Sequence, residues 1–222
     1  MLNVFSVMLL SYLAGSFPTS IIVGKLTKGI DIRQYGSGNA GGTNAFRVLG
    51  WKAGILVSLV DIGKGTFATV IISRIQLGVP LFENTVGMMI LAGVCAMLGH
   101  SFTIFGGFRG GKGVATGAGM LIGLFPYAFL TCLIIFAVVL FSTGIVSLSS
   151  LTAAICLPIV LLIFDRGFGM EVDPILTIVS VLIPLFIIYT HRTNIGRLLR
   201  GEENTFEKIK LFRRKKTKAV GS

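Results

Sequence analysis

The chain has 222 residues, of which 53% are hydrophobic and 13% charged, and its mean hydropathy is +0.87. The charged share is about half the usual one and the 29 glycines are close to double theirs, which excludes an ordinary soluble domain, a disordered chain and a disulfide scaffold. A net charge of +11 is left to explain, and its placement along the chain points to membrane topology rather than to nucleic acid.

A helix crossing ~30 Å of hydrocarbon needs about 20 mostly apolar residues, and the hydropathy pattern predicts seven membrane helices. The first covers 2–24; it lacks a basic residue before its apolar run and is long enough to span, so it is expected to be a helix and not a signal peptide. The second, 53–73, carries Asp61 and Lys64 at i, i+3. Each would cost about 2.5–3.5 kcal/mol at mid-helix if unpaired, so a structural ion pair facing the bundle interior is expected in preference to a proton relay. The third covers 85–104. The stretch 114–143 is too long for one span and has Pro126 in its middle, which divides it into a short fourth span ending at Phe125 and a fifth reaching Thr143. A short sixth span covers 151–164 and a seventh 174–189. Ser147, Ser149 and Ser150 fall between the fifth and sixth, where interhelical hydrogen bonding is the default role. The helical domain is expected over 1–204, followed by a basic tail over 205–222.

Cys95, Cys132 and Cys156 sit singly in apolar stretches and read as small buried hydrophobes. His100 and His191 have no carboxylates at ligand spacing. No metal or other cofactor is expected.

Segments 25–52, 105–113 and 191–222 carry five, two and ten Lys/Arg, whereas the loops on the opposite side carry only Arg74 and Arg166. Seventeen against two is a positive-inside pattern. It puts the N-terminus outside, the C-terminus in the cytoplasm, and the charge on the inner face of a plasma membrane. Each basic residue of 208–218 adds about 1 kcal/mol of attraction to an anionic leaflet, which makes the tail a topology anchor. No nucleic-acid partner is needed to explain the charge.

Three polar segments fall on that same side. In Gly36-Ser-Gly-Asn-Ala-Gly-Gly-Thr-Asn-Ala-Phe-Arg47, the glycines Gly36, Gly38, Gly41 and Gly42 let successive N–H groups converge on an anion. Ser37, Asn39, Thr43 and Asn44 add donors, and Arg47 adds a fork suited to phosphate. The formal Gly36-x-Gly38-x-x-Gly41 dinucleotide fingerprint has no strand before it and is weak. In the second segment, Gly106-x-x-x-x-Gly111-Lys112 approaches a P-loop. Gly113 stands where a magnesium-binding hydroxyl is required, so nucleotide hydrolysis is not expected. Lys112, framed by Gly110, Gly111 and Gly113 at a helix start, still suits a phosphate; the plainer reading is a snorkelling lysine. In the third segment, His191 and Asn194 share a face if the last helix continues, with Arg192, Arg197 and Arg200 available to phosphates.

Together SGNAGGTNAFR, GHSFTIFGGFRGGKGVAT and HRTNIGRLLRGEEN resemble the three signature motifs of the bacterial acyl-phosphate:glycerol-3-phosphate acyltransferases, the PlsY family. Gly15-Ser-Phe-Pro18, Asp61-Ile-Gly-Lys-Gly65 and Ser147-Leu-Ser-Ser150 also resemble that pattern, in order, so the likeness runs from about residue 12 to 204. Arg109 stands where a lysine is common, which keeps the charge.

The resemblance implies a seven-span enzyme that transfers an acyl group from acyl phosphate to the 1-hydroxyl of glycerol 3-phosphate, yielding lysophosphatidic acid and phosphate. It implies functional positions at Ser37, Arg47, Lys112, Ser150, His191 and Asn194, with Glu203 matching the acidic residue of the third motif. The partners implied are the two substrates and the lipid bilayer, and the soluble enzyme that makes acyl phosphate is a candidate partner. The chemistry fits, because a mixed anhydride is already activated and needs positioning and charge neutralisation more than a nucleophile. The first loop is expected to hold the acyl phosphate through Ser37 and Thr43. Arg47 and Lys112 are expected to reach the phosphate of glycerol 3-phosphate, with His191 and Asn194 near its hydroxyls and Gly111 and Gly113 shaping the second loop. Either His191 or the departing phosphate could accept the proton. A small-anion transporter or binding protein is the alternative. It predicts polar residues at mid-membrane and an inverted repeat, whereas the polar residues cluster at one face.

Overall fold

A computed structural model describes residues 2–77 and 85–206, and these are helical and irregular with no strand among them. In chain order the helices are α1 (Leu2–Ser16), α2 (Thr19–Lys28), α3 (Gly42–Val48), α4 (Trp51–Val70), α5 (Thr85–Ser101), α6 (Val114–Leu124), α7 (Pro126–Thr143), α8 (Val146–Leu162), α9 (Pro174–Thr190) and α10 (Arg192–Leu199). Five of these segments are long and apolar enough to cross a membrane, or six when the bent pair α9–α10 counts as one span. The fourth expected span, α6, has 11 residues. At 1.5 Å per residue it covers about 17 Å, roughly half of the hydrocarbon layer. The basic tail expected over 205–222 lies outside the described residues from 207 onward.

Three boundaries differ from the sequence reading. The first span is broken at Phe17-Pro18, because proline has no N–H to donate and disfavours helical backbone before it; α2 then runs on to Lys28 and stops at left-handed Gly29. The sixth expected span, α8, begins at Val146, so Ser147, Ser149 and Ser150 form its first turns and are not a connection. The seventh ends at Thr190, and α10 leaves it at 67°.

Apolar helices gain little by shedding lipid for one another, so their pairing relies on close backbone approach. A Cβ placed on Gly15 would lie 2.1 Å from the Ala96 carbonyl oxygen, and one on Gly99 would lie 2.1 Å from that of Tyr12, which sets α1 directly on α5. Gly65 meets the Thr116 carbonyl and Gly119 that of Ile62 in the same way, at 2.1 and 2.0 Å, which sets α6 on α4. Gly119→Ala is therefore expected to cost about 1–3 kcal/mol, read as a lower melting temperature of the detergent-solubilised protein. An unchanged melt would show that α6 is free to shift.

The α1–α2 break also serves the interior charges. Lys64 Nζ donates to the freed Phe17 carbonyl at 3.0 Å and pairs with Asp61 at 2.9 Å, and Thr19 Oγ1 donates to Asp61 at 3.2 Å. The expected ion pair is present and buried.

Candidate active site

The first glycine segment folds into a tight loop leading into α3. Gly36 and Gly38 both take left-handed backbone, at φ 62° and 75°, which side chains other than glycine rarely adopt. Asn44, fully buried on α3, reaches back to hold this loop. Its Oδ1 accepts the Ser37 N–H at 2.9 Å, while Nδ2 donates to the carbonyls of Ile32 and Tyr35 at 3.1 and 3.0 Å. Gly42 lets α3 sit on α4, since a Cβ there would come 2.1 Å from Ser58 Oγ. Ser37, Asn39, Thr43 and Arg47 are thereby turned to one wall of a cavity.

The second segment runs beside the first. The N–H groups of Gly110 and Gly111 donate to the Ser101 and His100 carbonyls, each at 3.0 Å. Left-handed Gly113, at φ 84°, caps α6. Thr190 Oγ1 donates to the Lys112 carbonyl at 3.0 Å, and Lys112 Nζ donates to Asn194 Oδ1. Arg33 links the two loops by donating to the Arg109 carbonyl at 3.2 Å.

The third segment closes the cavity through the α9–α10 bend. His191 sits at the corner with Nδ1 2.8 Å from the Ile187 carbonyl; a carbonyl only accepts, so Nδ1 carries the proton and Nε2 keeps a free lone pair. Asn194 Nδ2 donates to Glu203 Oε1, and Arg197 Nε donates to Glu203 Oε2, both at 2.9 Å. The turn at left-handed Gly201 directs Glu203 inward, with a side chain 4% exposed, while the Glu202 side chain is 59% exposed beside Arg200. Arg47 lies over the Phe206 ring at 4.8 Å and donates to the Asn204 carbonyl at 3.4 Å.

These parts enclose about 440 Å³. Its polar end carries Arg47 and Lys112; Glu203 is already matched by Arg197, so the end is cationic. The other end is apolar. Phe129, Cys132, Leu133 and Phe136 line it from one face of α7, with Ala153, Ala154 and Leu157 of α8 and Ile183 and Ile187 of α9 opposite.

Most expected site residues line this cavity: Ser37, Asn39, Gly41, Gly42, Thr43, Arg47, Lys112, Gly113, Ser150, His191, Asn194 and Glu203. Three do not. Asn44 spends its side chain on the loop, Gly38 supplies only the turn, and Gly111 faces His100 instead. Among the polar lining residues, Ser58, Asp61, His100 and Ser147 were not expected at the site from the sequence. Ser58 lies three residues before Asp61 on α4 and His100 opens the second motif, signals that spacing contained. The Ser150 hydroxyl donates to the Val146 carbonyl at 2.9 Å, whereas that of Ser147 has no partner among the described residues.

Burial governs the charges. It draws Lys112 down to about 8 against the pull of Glu203, with Arg197 and Arg47 acting in the same direction as burial. Burial and the neighbouring Lys112 lower His191 to about 4, so its ring is neutral at pH 7. For Glu203 burial acts upward, but the hydrogen bonds from Arg197 and Asn194 outweigh it and keep the group below the usual carboxylate range. Arg47 and Lys112, with the neutral donors Ser37, Asn39 and Thr43, converge beside an apolar chamber and can neutralise phosphate oxygens while holding a greasy chain.

The model of the family described as glycerol-3-phosphate acyltransferase matches residues 5–201. The glycerol-3-phosphate acyltransferases of Chlorobaculum tepidum and Chlorobaculum parvum are 47% and 46% identical, each over 92% of this chain and 97% of their own. Among solved structures, the fold is similar to crystal structures of PlsY, an integral membrane glycerol 3-phosphate acyltransferase. Its glycerol 3-phosphate and lysophosphatidic acid forms give TM-scores of 0.79 and 0.76, at 34% identity over 91% of this chain and 95% of theirs.

Proposed function

This chain belongs to the glycerol-3-phosphate acyltransferase family, and we propose that it moves a fatty acyl group from an acyl phosphate to the 1-hydroxyl of sn-glycerol 3-phosphate. The products are lysophosphatidic acid and inorganic phosphate, and the transfer is direct. The observation that carries this reading is the joined cavity, cationic at one end and apolar at the other. The acyl chain lies along α7–α9, and both phosphates lie at the cationic end.

In the transfer, the glycerol hydroxyl oxygen bonds to the acyl carbon, the carbon–oxygen bond to phosphate breaks, and phosphate leaves with the electron pair. The first loop, with Ser37 and Thr43, holds the acyl phosphate. Arg47 and Lys112 balance the phosphate of glycerol 3-phosphate, and Asn194, braced by Glu203, fixes the Lys112 ammonium. His191 Nε2 accepts a hydrogen bond from a glycerol hydroxyl and orients it. The proton passes to the departing phosphate, which is the stronger base beside a ring whose pKa is about 4.

We place the polar end in the cytoplasm of a plasma membrane and the N-terminus outside, on the strength of the seventeen basic residues of the inner-side segments. Seven apolar segments then cross or enter the bilayer, with α6 reaching only part way.

The test uses purified detergent-solubilised protein, glycerol 3-phosphate and palmitoyl phosphate, with palmitoyl-CoA and palmitoyl-acyl carrier protein as parallel donors. Equal amounts of phosphate and lysophosphatidate from acyl phosphate alone are expected. Turnover with a thioester would overturn the donor assignment, and no product from folded protein would overturn acyl transfer. His191→Asn is expected to lower kcat about 10–100-fold while leaving the shape of its pH profile near neutrality unchanged. Loss of a rising limb in that range would instead make His191 the base.

A further inference from the structure

Two sequence motifs, Gly15–Pro18 and Asp61–Gly65, have no part in the transfer described above, yet the fold brings them together. Phe17 and Pro18 from the first, the adjoining Thr19, and Asp61 and Lys64 from the second line a second cavity of about 10 Å³, too small for a substrate, and His100 forms its wall. Asp61 and His100 line the large cavity as well, so this cluster stands directly behind the site.

His100 is buried at the end of α5 between two fixed objects. On one side its Nδ1 lies 3.6 Å from Asp61 Oδ1, the oxygen that also receives Lys64 and Thr19. On the other side its Nε2 abuts Gly111 so closely that a Cβ there would come within 2.0 Å of it. Its main chain acts on the same loop. The His100 carbonyl accepts the Gly111 N–H at 3.0 Å and would lie 2.0 Å from a Cβ on Gly110. One residue thus sets both the height and the direction of the dipeptide that delivers Lys112.

We propose that His100, seated on Asp61, is a positioning residue for Lys112, holding the Gly110-Gly111 backbone where the Lys112 ammonium meets Asn194 and the substrate phosphate. The cluster is charged because its seat must not shift: Asp61 is anchored from α2 by Thr19 and from its own helix by Lys64, which is itself tied to Phe17. Without the ring the loop has room to relax toward α5. A displacement of about 1 Å at a positioning group costs on the order of 100-fold in rate. This inference rests on the reading that Lys112 binds the phosphate of glycerol 3-phosphate.

The test compares the full-length protein with His100→Ala, His100→Gln and Gly111→Ala. It follows kcat, KM for each substrate, melting temperature, and calorimetric affinity for glycerol 3-phosphate. His100→Ala is expected to raise KM for glycerol 3-phosphate about tenfold or more and leave KM for acyl phosphate within about twofold. His100→Gln, whose amide fills the ring's place, should recover most of that loss. Gly111→Ala, which pushes the ring from the other side, should reproduce it and serves if His100→Ala does not fold. Wild-type KM for glycerol 3-phosphate in the folded variants would overturn the proposal, as would equal losses for both substrates that track the melting temperature without rescue by glutamine. Calorimetry needs no turnover, so an inactive wild-type protein would sink the acyl-transfer reading and still leave this comparison readable.

Discussion

Lys112→Ala is expected to lower kcat/KM for glycerol 3-phosphate by about 10³-fold or more, equivalent to roughly 4 kcal/mol of transition-state stabilisation. The ammonium lies on the cavity wall, aimed by Asn194 and by the Thr190 bond to its own carbonyl, and Arg47 is the other cation lining the cavity. In the proposed reaction both substrates carry phosphate, so a single remaining cation leaves the site short of positive charge while the leaving phosphate gains negative charge. The signature of this role is its pH dependence. Burial brings Lys112 from 10.5 to about 8, so the empty site loses its charge as pH rises through about 8, and a bound phosphate dianion draws the proton back. KM for glycerol 3-phosphate should be level near neutrality and climb about tenfold per pH unit well above 8. Lys112→Arg keeps its charge and should remove that climb, at about tenfold lower activity because a planar fork does not fit the seat of a point charge. A wild-type KM level up to pH 10 would refute the assignment. So would a Lys112→Ala enzyme within tenfold of wild type.

Asn44→Ala is expected to destabilise the protein by about 3–5 kcal/mol and to lower activity on the order of 100-fold. The Ser37 N–H loses its partner, while the carbonyls of Ile32 and Tyr35 each lose one of two bonds and keep the N–H groups of Tyr35 and Gly38 at 3.2 and 3.1 Å. The unpaired N–H costs about 1–3 kcal/mol and each lost carbonyl bond about 0.5–1.5 kcal/mol, and the loop carrying Ser37 and Asn39 loses the side chain that fixes its shape. Asn44→Asp keeps an acceptor for Ser37 but faces two carbonyls without a donor, so it should be no better than alanine. Thermal unfolding in detergent alongside steady-state kinetics separates this from direct ligand contact. If Asn44 touched substrate, the melt would be unchanged and KM alone would rise.

The membrane class, the helical content and the division at Pro126 were legible because each depends on neighbours in the chain: hydropathy summed over about 20 residues and the missing N–H of proline. The three glycine-rich or basic segments were legible for a similar reason, since phosphate chemistry draws on a small set of side chains at short spacing. The separate roles within them were not. Asn44 and Thr43 are both polar and adjacent, yet one is spent inside the loop and the other lines the cavity, because α3 turns them to different sides of its axis. Glu203 and Glu202 differ by one residue, and only the left-handed turn at Gly201 sends the first inward to Asn194.

By itself, then, the amino-acid sequence determined that this protein lives in a membrane, that it is helical, and that the residues suited to phosphate are concentrated in three segments. Only the tertiary structure decided that the first span breaks after α1 to pass a carbonyl to Lys64, and that His100 stands behind Lys112. Those outcomes depend on which backbones approach one another, and here the approaches are set by Gly15, Gly65, Gly99 and Gly119 meeting carbonyls on other helices. A glycine reports that a close contact is possible, but its partner, far away in the chain, is chosen by packing.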